Sequence, residues 1–183
     1  MAEPARKRLT VDEFLAWDDG TETRYELIGG EIVAMAPPRD GHGVLVVNLG
    51  GELRNHLRPP CRARTEAGII LPHRNDSYYQ ADLAVGCSPP DPTTPGVPNP
   101  VVIIEVLSPS TEAHDRTVKL PNYREIPSVQ EILLISCLAR RAELWHRTPT
   151  NWSVEDLVGD GTLRFNSIGV EVAMGALYEG VLP

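Results

Sequence analysis

Residues 101–111 read VVIIEVLSPST, and the first seven of them constrain the fold more than any other stretch of the chain. Apolar side chains occupy both alternating positions, with Val101 and Ile103 on one face of a strand and their apolar neighbours on the other. A strand that is apolar on both faces is covered on both, so the sequence predicts a central strand between two layers. Glu105 is then a buried carboxylate, and its charge requires a cation, hydrogen-bond donors or a proton.

The length and composition predict one globular domain. The chain has 183 residues, of which 42% are hydrophobic and 23% charged, enough apolar material for a substantial core. No run approaches the roughly 18 consecutive apolar residues of a membrane span. The opening stretch, MAEPARKRLTVDEF, lacks the apolar segment of a signal peptide. We therefore expect a cytoplasmic protein that does not enter a membrane.

Cysteine, histidine and glycine patterns argue against several common sites. Cys61, Cys87 and Cys137 are odd in number, far apart and in no C-x-x-C spacing, which predicts reduced thiols rather than disulfides or zinc ligands. The five histidines form no H-E-x-x-H motif or close metal-binding pair, so we expect them at the surface or in ordinary hydrogen bonds. Neither a G-x-S-x-G nor a G-x-x-x-x-G-K-[ST] motif is present, which leaves serine hydrolases and P-loop enzymes without support.

The formal net charge of -8 argues against a protein that binds nucleic acid by bulk electrostatic attraction. The charges are unevenly distributed, however. Residues 11–31 contain seven acidic residues against Arg24 alone, whereas residues 52–74 contain five arginines against two glutamates. The second segment forms either a locally basic face or an ordinary solvated surface. Its arginines are Arg54, Arg58, Arg62, Arg64 and Arg74.

Helical periodicity and turn signals predict the first half of the chain. Thr10-Val-Asp-Glu13 has the form of a capping box and predicts a short helix to about Trp17. Gly29-Gly30 interrupts an alternating segment and predicts a hairpin near residues 24–36. A second helix follows, in which Gly50-Gly51 requires close packing against a neighbour. Its expected apolar stripe consists of Val44, Val47, Leu49, Leu53 and Leu57.

Alternating and apolar runs predict mainly strands in the rest of the chain. A helix should begin at about Thr111 and bend or end near Pro121, because proline lacks an amide hydrogen. The predicted strands lie near residues 61–71, 80–85, 101–107, 129–136, 141–147, 152–158 and 162–165.

Strands 80–85 and 101–107 are joined by a proline-rich loop, which makes an antiparallel pair the economical topology. An antiparallel register sets Asp82 opposite Glu105, and directly opposed residues have Cβ atoms about 4.5 to 5.5 Å apart. Two carboxylates at this separation repel unless one is protonated or a divalent cation lies between them. Mg²⁺ is commonly held by one or two carboxylates. The alternatives are a capped turn for Asp82 and an arginine ion pair for Glu105.

Lys119 supplies an amine on the helix after Glu105, and Tyr123 follows one turn later. Beside a metal ion and a phosphate ester, a lysine can orient the attacking water and offset developing negative charge. Asp115 stands four residues before Lys119, however, which is the favoured orientation of an ordinary surface ion pair. The spacing leaves both interpretations open.

Together these residues resemble the Uma2 (Uma-two) family of bacterial endonuclease-like proteins, which have the restriction-endonuclease-like PD-(D/E)XK fold. The likeness covers most of the chain, and its most specific part is EVLSPST followed by DR, Lys119 and Tyr123. The other matching features are TVDEFLAW, YELIGGEIVAMAPP, His42 with the following NL, YYQADLAV, IPSVQEILLIS, Trp152 and GALYEGV.

The resemblance implies an α/β fold of mixed α+β type. Its restriction-endonuclease-like core is a central mixed sheet flanked by helices, with an N-terminal helix and β-hairpin. One domain, residues 1–183, would comprise an N-terminal extension (1–38), a nuclease-like core (39–147) and a C-terminal extension (148–183).

The resemblance also implies a metal site. Asp82 matches the aspartate of the PD element and Glu105 the acidic residue of the (D/E)XK element, and both would bind Mg²⁺ or Mn²⁺ with the carbonyl of Val106 as a third ligand. The lysine departs from the pattern. Leu107 stands two positions after Glu105, and Lys119 on the next helix would be a displaced substitute.

Glu26 and His42 match an acidic position and a histidine position that are typical of the family. Glu26 either borders the metal site or fixes the hairpin through an arginine, and we expect His42 to cap or pack its helix rather than take part in catalysis. The candidate catalytic residues are Asp82, Glu105, Lys119 and Glu26.

The leading hypothesis is a Mg²⁺-dependent endonuclease that hydrolyses phosphodiester bonds of DNA. One alternative is a catalytically silent nuclease-fold module that binds nucleic acid, which the negative net charge and Leu107 favour. Another is a protein-interaction component whose acidic N-terminal segment meets a basic partner. Restriction-like nucleases often pair to cut two strands, which implies a homodimer by analogy.

Overall fold

The computed structural model describes residues 8–89 and 91–182, and part of the segment that bears on a signal peptide lies outside this range. The helices are α1 (Val11–Leu15), α2 (Asp40–His56), α3 (Glu112–His114), α4 (Leu120–Arg124) and α5 (Met174–Leu177), with a π-helical turn (Asp115–Lys119) between α3 and α4. The strands are β1 (Tyr25–Ile28), β2 (Glu31–Ala34), β3 (Arg62–Ile70), β4 (Tyr78–Gly86), β5 (Pro100–Leu107), β6 (Glu131–Ser136), β7 (Arg141–Arg147), β8 (Trp152–Val158), β9 (Thr162–Phe165) and β10 (Val170–Ala173).

Eight of the described strands form one mixed sheet. Its order is β2-β1-β4-β5-β6-β7-β8, with β3 paired to β4, and β9 and β10 form a separate two-stranded sheet. β5 and β6 are parallel, and the other described neighbours are antiparallel. The mixed α/β architecture that the sequence predicts is therefore confirmed.

Strand β5 is covered on both faces, as its sequence predicts. Ile104 belongs to an apolar cluster that includes Leu49 and Leu53 of α2. Ile103 belongs to a second cluster that includes Tyr123 of α4. The sheet therefore lies between α2 on one side and the helix that follows β5 on the other.

Helix α2 packs on the sheet through a narrower stripe than its sequence predicts. Leu45, Leu49 and Leu53 are buried, whereas Val47 is 71% exposed. Residues four apart on a helix form one ridge, and a residue halfway between two of them lies on the other side of the helix. The prediction is therefore confirmed for Leu49 and Leu53 and wrong for Val47.

Cys61 and Cys87 form a disulfide, so the prediction of reduced thiols is wrong for these two residues. Arg62 pairs with Gly86 across β3 and β4, which places the adjoining cysteines opposite each other at the end of both strands. Their separation of 26 residues conceals this proximity, because it depends on the register of the two strands. Cys137 is a free, buried thiol, as predicted.

The C-terminal segment adds elements to both sheets. The strands predicted at 152–158 and 162–165 are present as β8 and β9, but β9 pairs with β10, which the sequence analysis did not identify. Helix α5 was also missed, and like β10 it has four residues, too few for a periodic signal. Within residues 8–89 and 91–182, no helix is long and apolar enough to cross a bilayer. The predicted boundaries after residues 38 and 147 stay predictions.

Candidate active site at a gap in the sheet

Strand β4 has a gap along one edge, and the candidate site occupies this gap. β3 pairs with β4 from Tyr78 to Gly86 along the opposite edge. At the site edge, β1 pairs with Tyr78 and β5 pairs from Leu83 onwards. The backbone groups of residues 79–82 at this edge need other partners, because buried N–H and C=O groups are almost always paired.

Side chains supply the partners of Gln80. Its N–H donates to Oε1 of Glu26 at 2.8 Å, and its carbonyl accepts a hydrogen bond from Nζ of Lys119 at 3.3 Å. Glu26 comes from β1 and Lys119 from the π turn. Two distant segments of the chain are thereby fixed to the same residue of β4.

Asp82 and Glu105 meet where β4 and β5 diverge. The last regular pair is Leu83 with Ile104, so Asp82 and Glu105 are the next residues along the same register. Oδ2 of Asp82 accepts a hydrogen bond from the Val106 N–H at 2.7 Å, and the Asp82 N–H lies 3.4 Å from Oε2 of Glu105. The antiparallel arrangement that the sequence predicts is confirmed, and both carboxyl groups replace backbone partners at this fork.

Glu105 is 2% exposed and has two close partners. Its Oε1 accepts a hydrogen bond from the Tyr123 hydroxyl at 2.6 Å and lies 3.2 Å from Nζ of Lys119. Burial raises the pKa of Glu105 well above its ordinary value; the charge of Lys119 opposes this shift, and the charges of Asp82 and Asp115 add to it. The alternative of an arginine partner is wrong, because the cation is Lys119.

Lys119 lies among three carboxylates. Its Nζ is 2.9 Å from Oε1 of Glu26, 3.2 Å from Oε1 of Glu105 and 3.6 Å from Oδ1 of Asp115. Burial lowers the pKa of Lys119, but the attraction of the three carboxylates outweighs burial and leaves this pKa well above its ordinary value. The pair with Asp115 is present, but both residues are buried, so the interpretation as a surface ion pair is wrong.

A π turn carries Asp115 and Lys119. The N–H of Leu120 bonds to the carbonyl of Asp115, five residues back. Pro121 has no N–H to donate to the carbonyl four residues before it, which favours a wider turn at this point. The bend predicted near Pro121 thus takes the form of a π turn, a feature that is frequent at functional sites.

Asp115 is a site residue that the sequence analysis did not identify. Its burial, at 2% exposure, separates it from an ordinary helix-surface acid. The available signals were its place in the DR pair of the family pattern and its four-residue spacing to Lys119, which is equally typical of exposed ion pairs. Burial decides between the two, and burial here depends on how the helix packs on the sheet.

Two partly buried histidines face the acids. Nε2 of His42 lies 3.2 Å from Oδ1 of Asp82, and Nε2 of His114 lies 3.8 Å from Oε2 of Glu26. The hydrogen bond to Asp82 raises the pKa of His42 against the opposing effect of burial. Helix α2 has no side-chain cap, so His42 does not cap its helix. Its contact is with Asp82 instead. Glu26 contacts Lys119 rather than an arginine, so it borders the candidate site.

The side chains of the site offer oxygen donors of the kind that a divalent cation takes. Among the described residues, no group of three or more His, Cys, Asp or Glu side chains has the arrangement of a complete metal-ion site. Two carboxylates suffice for Mg²⁺, which usually keeps several waters. The site brings together four carboxylates, three of which contact the ammonium of Lys119, and this ammonium offsets one of the charges they would carry when ionised, so these oxygen donors fit a hard cation. They are Glu26, Asp82, Glu105 and Asp115.

A sequence profile of the Uma2 family, described as "Putative restriction endonuclease", matches residues 11–172. The chain belongs to the Uma2 family. Its relatives in Synechocystis sp. (strain ATCC 27184 / PCC 6803 / Kazusa) include "Uncharacterized protein slr1290", 30% identical over 177 residues, 95% of this chain and 93% of the relative. "Uncharacterized protein sll1609" is 29% identical over 170 residues, 87% of this chain and 93% of the relative.

A solved structure shares the fold. It is the crystal structure of "a putative nuclease belonging to DUF820" from Anabaena variabilis ATCC 29413. The TM-score is 0.76 at 20% sequence identity, and the match covers 95% of this chain and 99% of that chain. The family resemblance and fold class that the sequence predicts are confirmed for this Uma2 chain.

Proposed function

We propose that this Uma2 chain is a Mg²⁺- or Mn²⁺-dependent endonuclease that hydrolyses phosphodiester bonds of DNA. The observation that carries the proposal is the meeting of Asp82 and Glu105 where β4 and β5 diverge, with the ammonium of Lys119 beside them. The description of the family and the name of the structural neighbour support nuclease chemistry.

Asp82 and Glu105 would hold the ion, with the carbonyl of Val106 as a third protein ligand. The bound ion would polarise a phosphoryl oxygen and acidify a water molecule. Lys119 would offset the negative charge that develops on the phosphate. Because the pKa of Lys119 is well above its ordinary value, its amine stays protonated near neutral pH and does not serve as a general base.

The contacts of Glu26 support a positioning role. Its Oε1 accepts the Gln80 N–H and lies 2.9 Å from Nζ of Lys119. These contacts hold the ammonium close to Glu105. Loss of Glu26 would therefore act on the reaction through Lys119.

A cavity of about 420 Å³ offers space for substrate on the face of the sheet that carries Glu105. Leu107 lines it and has the same strand parity as Glu105, so the cavity opens on the same face of the sheet. Arg116 and Arg141 also line it. Arg116 is held 2.8 Å from both Glu112 and Glu143. Arg141 is half exposed and has a longer contact of 3.4 Å to the exposed Asp156, so it would contact a flanking phosphate more readily.

Calorimetry with Mn²⁺ and a plasmid-nicking assay test this function. We expect the wild type to bind Mn²⁺ and to nick plasmid with Mg²⁺ but not with EDTA. Glu105→Gln should lower the nicking rate by about 100-fold or more, because a ligand of the ion is lost. Glu171→Gln on β10 is the matched control, since this glutamate is exposed and pairs with Arg164. Absence of Mn²⁺ binding together with nicking that Glu105→Gln leaves unchanged would refute the proposal.

A second candidate is a nuclease-fold module that binds nucleic acid without cleaving it. Leu107 at the expected lysine position and the burial of Lys119 among carboxylates favour it. Retention of DNA without any nicking at saturating Mn²⁺ would support this candidate. Metal-dependent nicking that is lost in Glu105→Gln would exclude it.

A further inference from the structure

We propose that Lys119 is a resident cation that fills a second cation position in this site, so that the site takes one divalent ion rather than two. The proposal rests on the metal site proposed at Asp82 and Glu105 and adds its stoichiometry. The second position is a cage of four oxygens around Nζ of Lys119, termed the lysine cage. They belong to Glu26, Gln80, Glu105 and Asp115.

The lysine cage has the form of a cation coordination shell. Its oxygens lie 2.9 to 3.6 Å from Nζ and come from β1, β4, β5 and the π turn. Three are carboxylate oxygens and one is a backbone carbonyl oxygen, the ligand types that hard divalent ions take in proteins. An ammonium thus occupies a place whose donors also suit a metal ion.

Other contacts hold the cage oxygens in place. Oε1 of Glu26 accepts the backbone N–H of Gln80 at 2.8 Å, and Oε1 of Glu105 accepts the Tyr123 hydroxyl at 2.6 Å. The Gln80 carbonyl belongs to β4, where Gln80 pairs with Gly68 of β3. These contacts do not involve Lys119, so the cage oxygens are expected to stay near one another when the ammonium is removed and to need only a small inward shift to coordinate a metal ion.

The choice of lysine fits this role. Seventeen residues of the chain are lysine or arginine, and two of these, Lys7 and Lys119, are lysines. An ammonium is a compact point charge with three donors, whereas a guanidinium is planar and suits bidentate pairs. A cage that converges on one point accepts the ammonium and excludes the guanidinium.

The cage and the proposed ion use different oxygens of Glu105. Oε1 faces Lys119 and Tyr123, whereas Oε2 faces the backbone of Asp82. One divalent ion between Asp82 and Glu105 therefore leaves the ammonium in place. A second ion in the cage would have to displace Lys119.

Counting bound Mn²⁺ tests the proposal on the full chain. The free ion is measured by its electron paramagnetic resonance after equilibrium dialysis, and the binding curve by calorimetry. The wild type should bind one Mn²⁺ per chain. Lys119→Met should bind two, because a side chain of similar length without charge leaves the cage oxygens available to the metal.

Two control variants separate a vacated cage from a general loss of positive charge. Arg116→Met removes a cation that bridges two carboxylates, Glu112 and Glu143, and should still bind one Mn²⁺. The double variant Lys119→Met with Glu26→Gln removes one cage carboxylate and should return from two ions to one.

Lys119→Met leaves buried carboxylates unpaired, so its folding is measured as well. In EDTA it should melt at a lower temperature than wild type. Mn²⁺ should raise its melting temperature more than that of wild type, since metal binding is coupled to folding. Lys119→Gln, which keeps a donor in the cage, is the second variant and should also bind two ions.

The results that overturn the proposal are distinct from those that refute the endonuclease. A wild type that binds two Mn²⁺, or folded Lys119→Met and Lys119→Gln that bind no more than wild type, overturns it. Both variants remaining unfolded at saturating Mn²⁺ also overturns it. If wild type binds none and Lys119→Met binds one, the metal-dependent function fails and Lys119 remains the occupant of a cation position.

Discussion

Glu105 is tolerated in a central strand because the gap beside β4 surrounds it with donors. Removing a carboxylate from water costs several kcal/mol, and the cost is offset only where the partners have good geometry. Tyr123 and Lys119 supply those partners at 2.6 and 3.2 Å. The raised pKa of Glu105 indicates that the effect of burial still outweighs the effects of Tyr123 and Lys119. A further cation would therefore stabilise the ionised form of this carboxylate.

Tyr123→Phe removes the hydroxyl from a fully buried side chain and leaves the ring in place. Because Oε1 of Glu105 loses its 2.6 Å donor, we expect the free energy of unfolding to fall by about 1 to 3 kcal/mol. Urea denaturation near neutral pH measures this change. Tyr25→Phe is the control, because its hydroxyl bonds to the exposed Asp19 and its loss should be smaller. Equal losses in the two variants would contradict the role of Tyr123.

His42 makes the stability depend on pH in the metal-free protein. Its bond to Asp82 raises its pKa in the folded state. A raised pKa adds stability that is fully present below the unfolded value of about 6.5 and is lost as the pH rises through the folded value. His42→Gln should therefore reduce the free energy of unfolding more at about pH 6 than at about pH 9. Urea denaturation in EDTA measures the free energies of unfolding of wild type and His42→Gln at each pH. If the difference between the two proteins were the same at both pH values, the role of His42 would be contradicted.

Elements whose signals are local in sequence could be predicted. The capping box of α1 is present between Thr10 and Glu13, and Gly29 and Gly30 adopt the positive φ that the hairpin turn requires. Features that depend on distant partners could not be predicted. The Cys61–Cys87 bond follows from the register of β3 with β4, and the short strands β9 and β10 are stabilised by pairing with each other.

Gly51→Ala should stabilise helix α2. A Cβ at Gly51 would meet nothing within 4 Å, whereas a Cβ at Gly50 would lie 3.5 Å from Cδ2 of Leu83. A contact of 3.5 Å is ordinary van der Waals packing, so both positions have room for a Cβ, and the close packing expected of this glycine pair is found at neither. Since alanine loses less backbone entropy in a helix, Gly51→Ala should raise the free energy of unfolding by about 0.5 to 1 kcal/mol. Urea denaturation measures the change, with Gly50→Ala as the comparison. A fall in the free energy of unfolding of Gly51→Ala would contradict the prediction.

At the scale of the molecule, the candidate site is a product of topology. Its four acids come from β1, β4, β5 and the π turn, so no local motif contains them all. The antiparallel pairing of two strands was sufficient to predict the meeting of Asp82 and Glu105. Lys119 was a candidate from its place on the helix after Glu105, and Glu26 was predicted through the family resemblance. Asp115 was missed because its burial requires the whole helix to dock. The homodimer and the cytoplasmic location stay predictions.

The disulfide is the feature of the whole molecule that differs most from the sequence-based expectation. Disulfides are typical of oxidising compartments, so its redox state bears on where the protein works. The bond joins the start of β3 to the end of β4, next to the loop that leads to β5. Arg62 reinforces the same junction by donating to the carbonyl of Ser88 at 2.8 Å.

Reduction of Cys61–Cys87 should lower the stability without dismantling the site. The bond spans a sequence separation of 26 residues. Closing a loop of this size lowers the entropy of the unfolded chain and so raises its free energy by about 3 to 4 kcal/mol. Dithiothreitol should therefore reduce the free energy of unfolding of wild type to that of Cys87→Ser, whose own free energy of unfolding should not change with the reductant.

The regular β4–β5 pairs from Leu83 onwards lie between the bond and Asp82, so Mn²⁺ affinity should be similar in the two redox states. Urea denaturation and calorimetry with and without dithiothreitol measure both effects. Stability that is unchanged by the reductant would exclude the disulfide as a stabilising cross-link, and a large loss of Mn²⁺ affinity would show that the site depends on it.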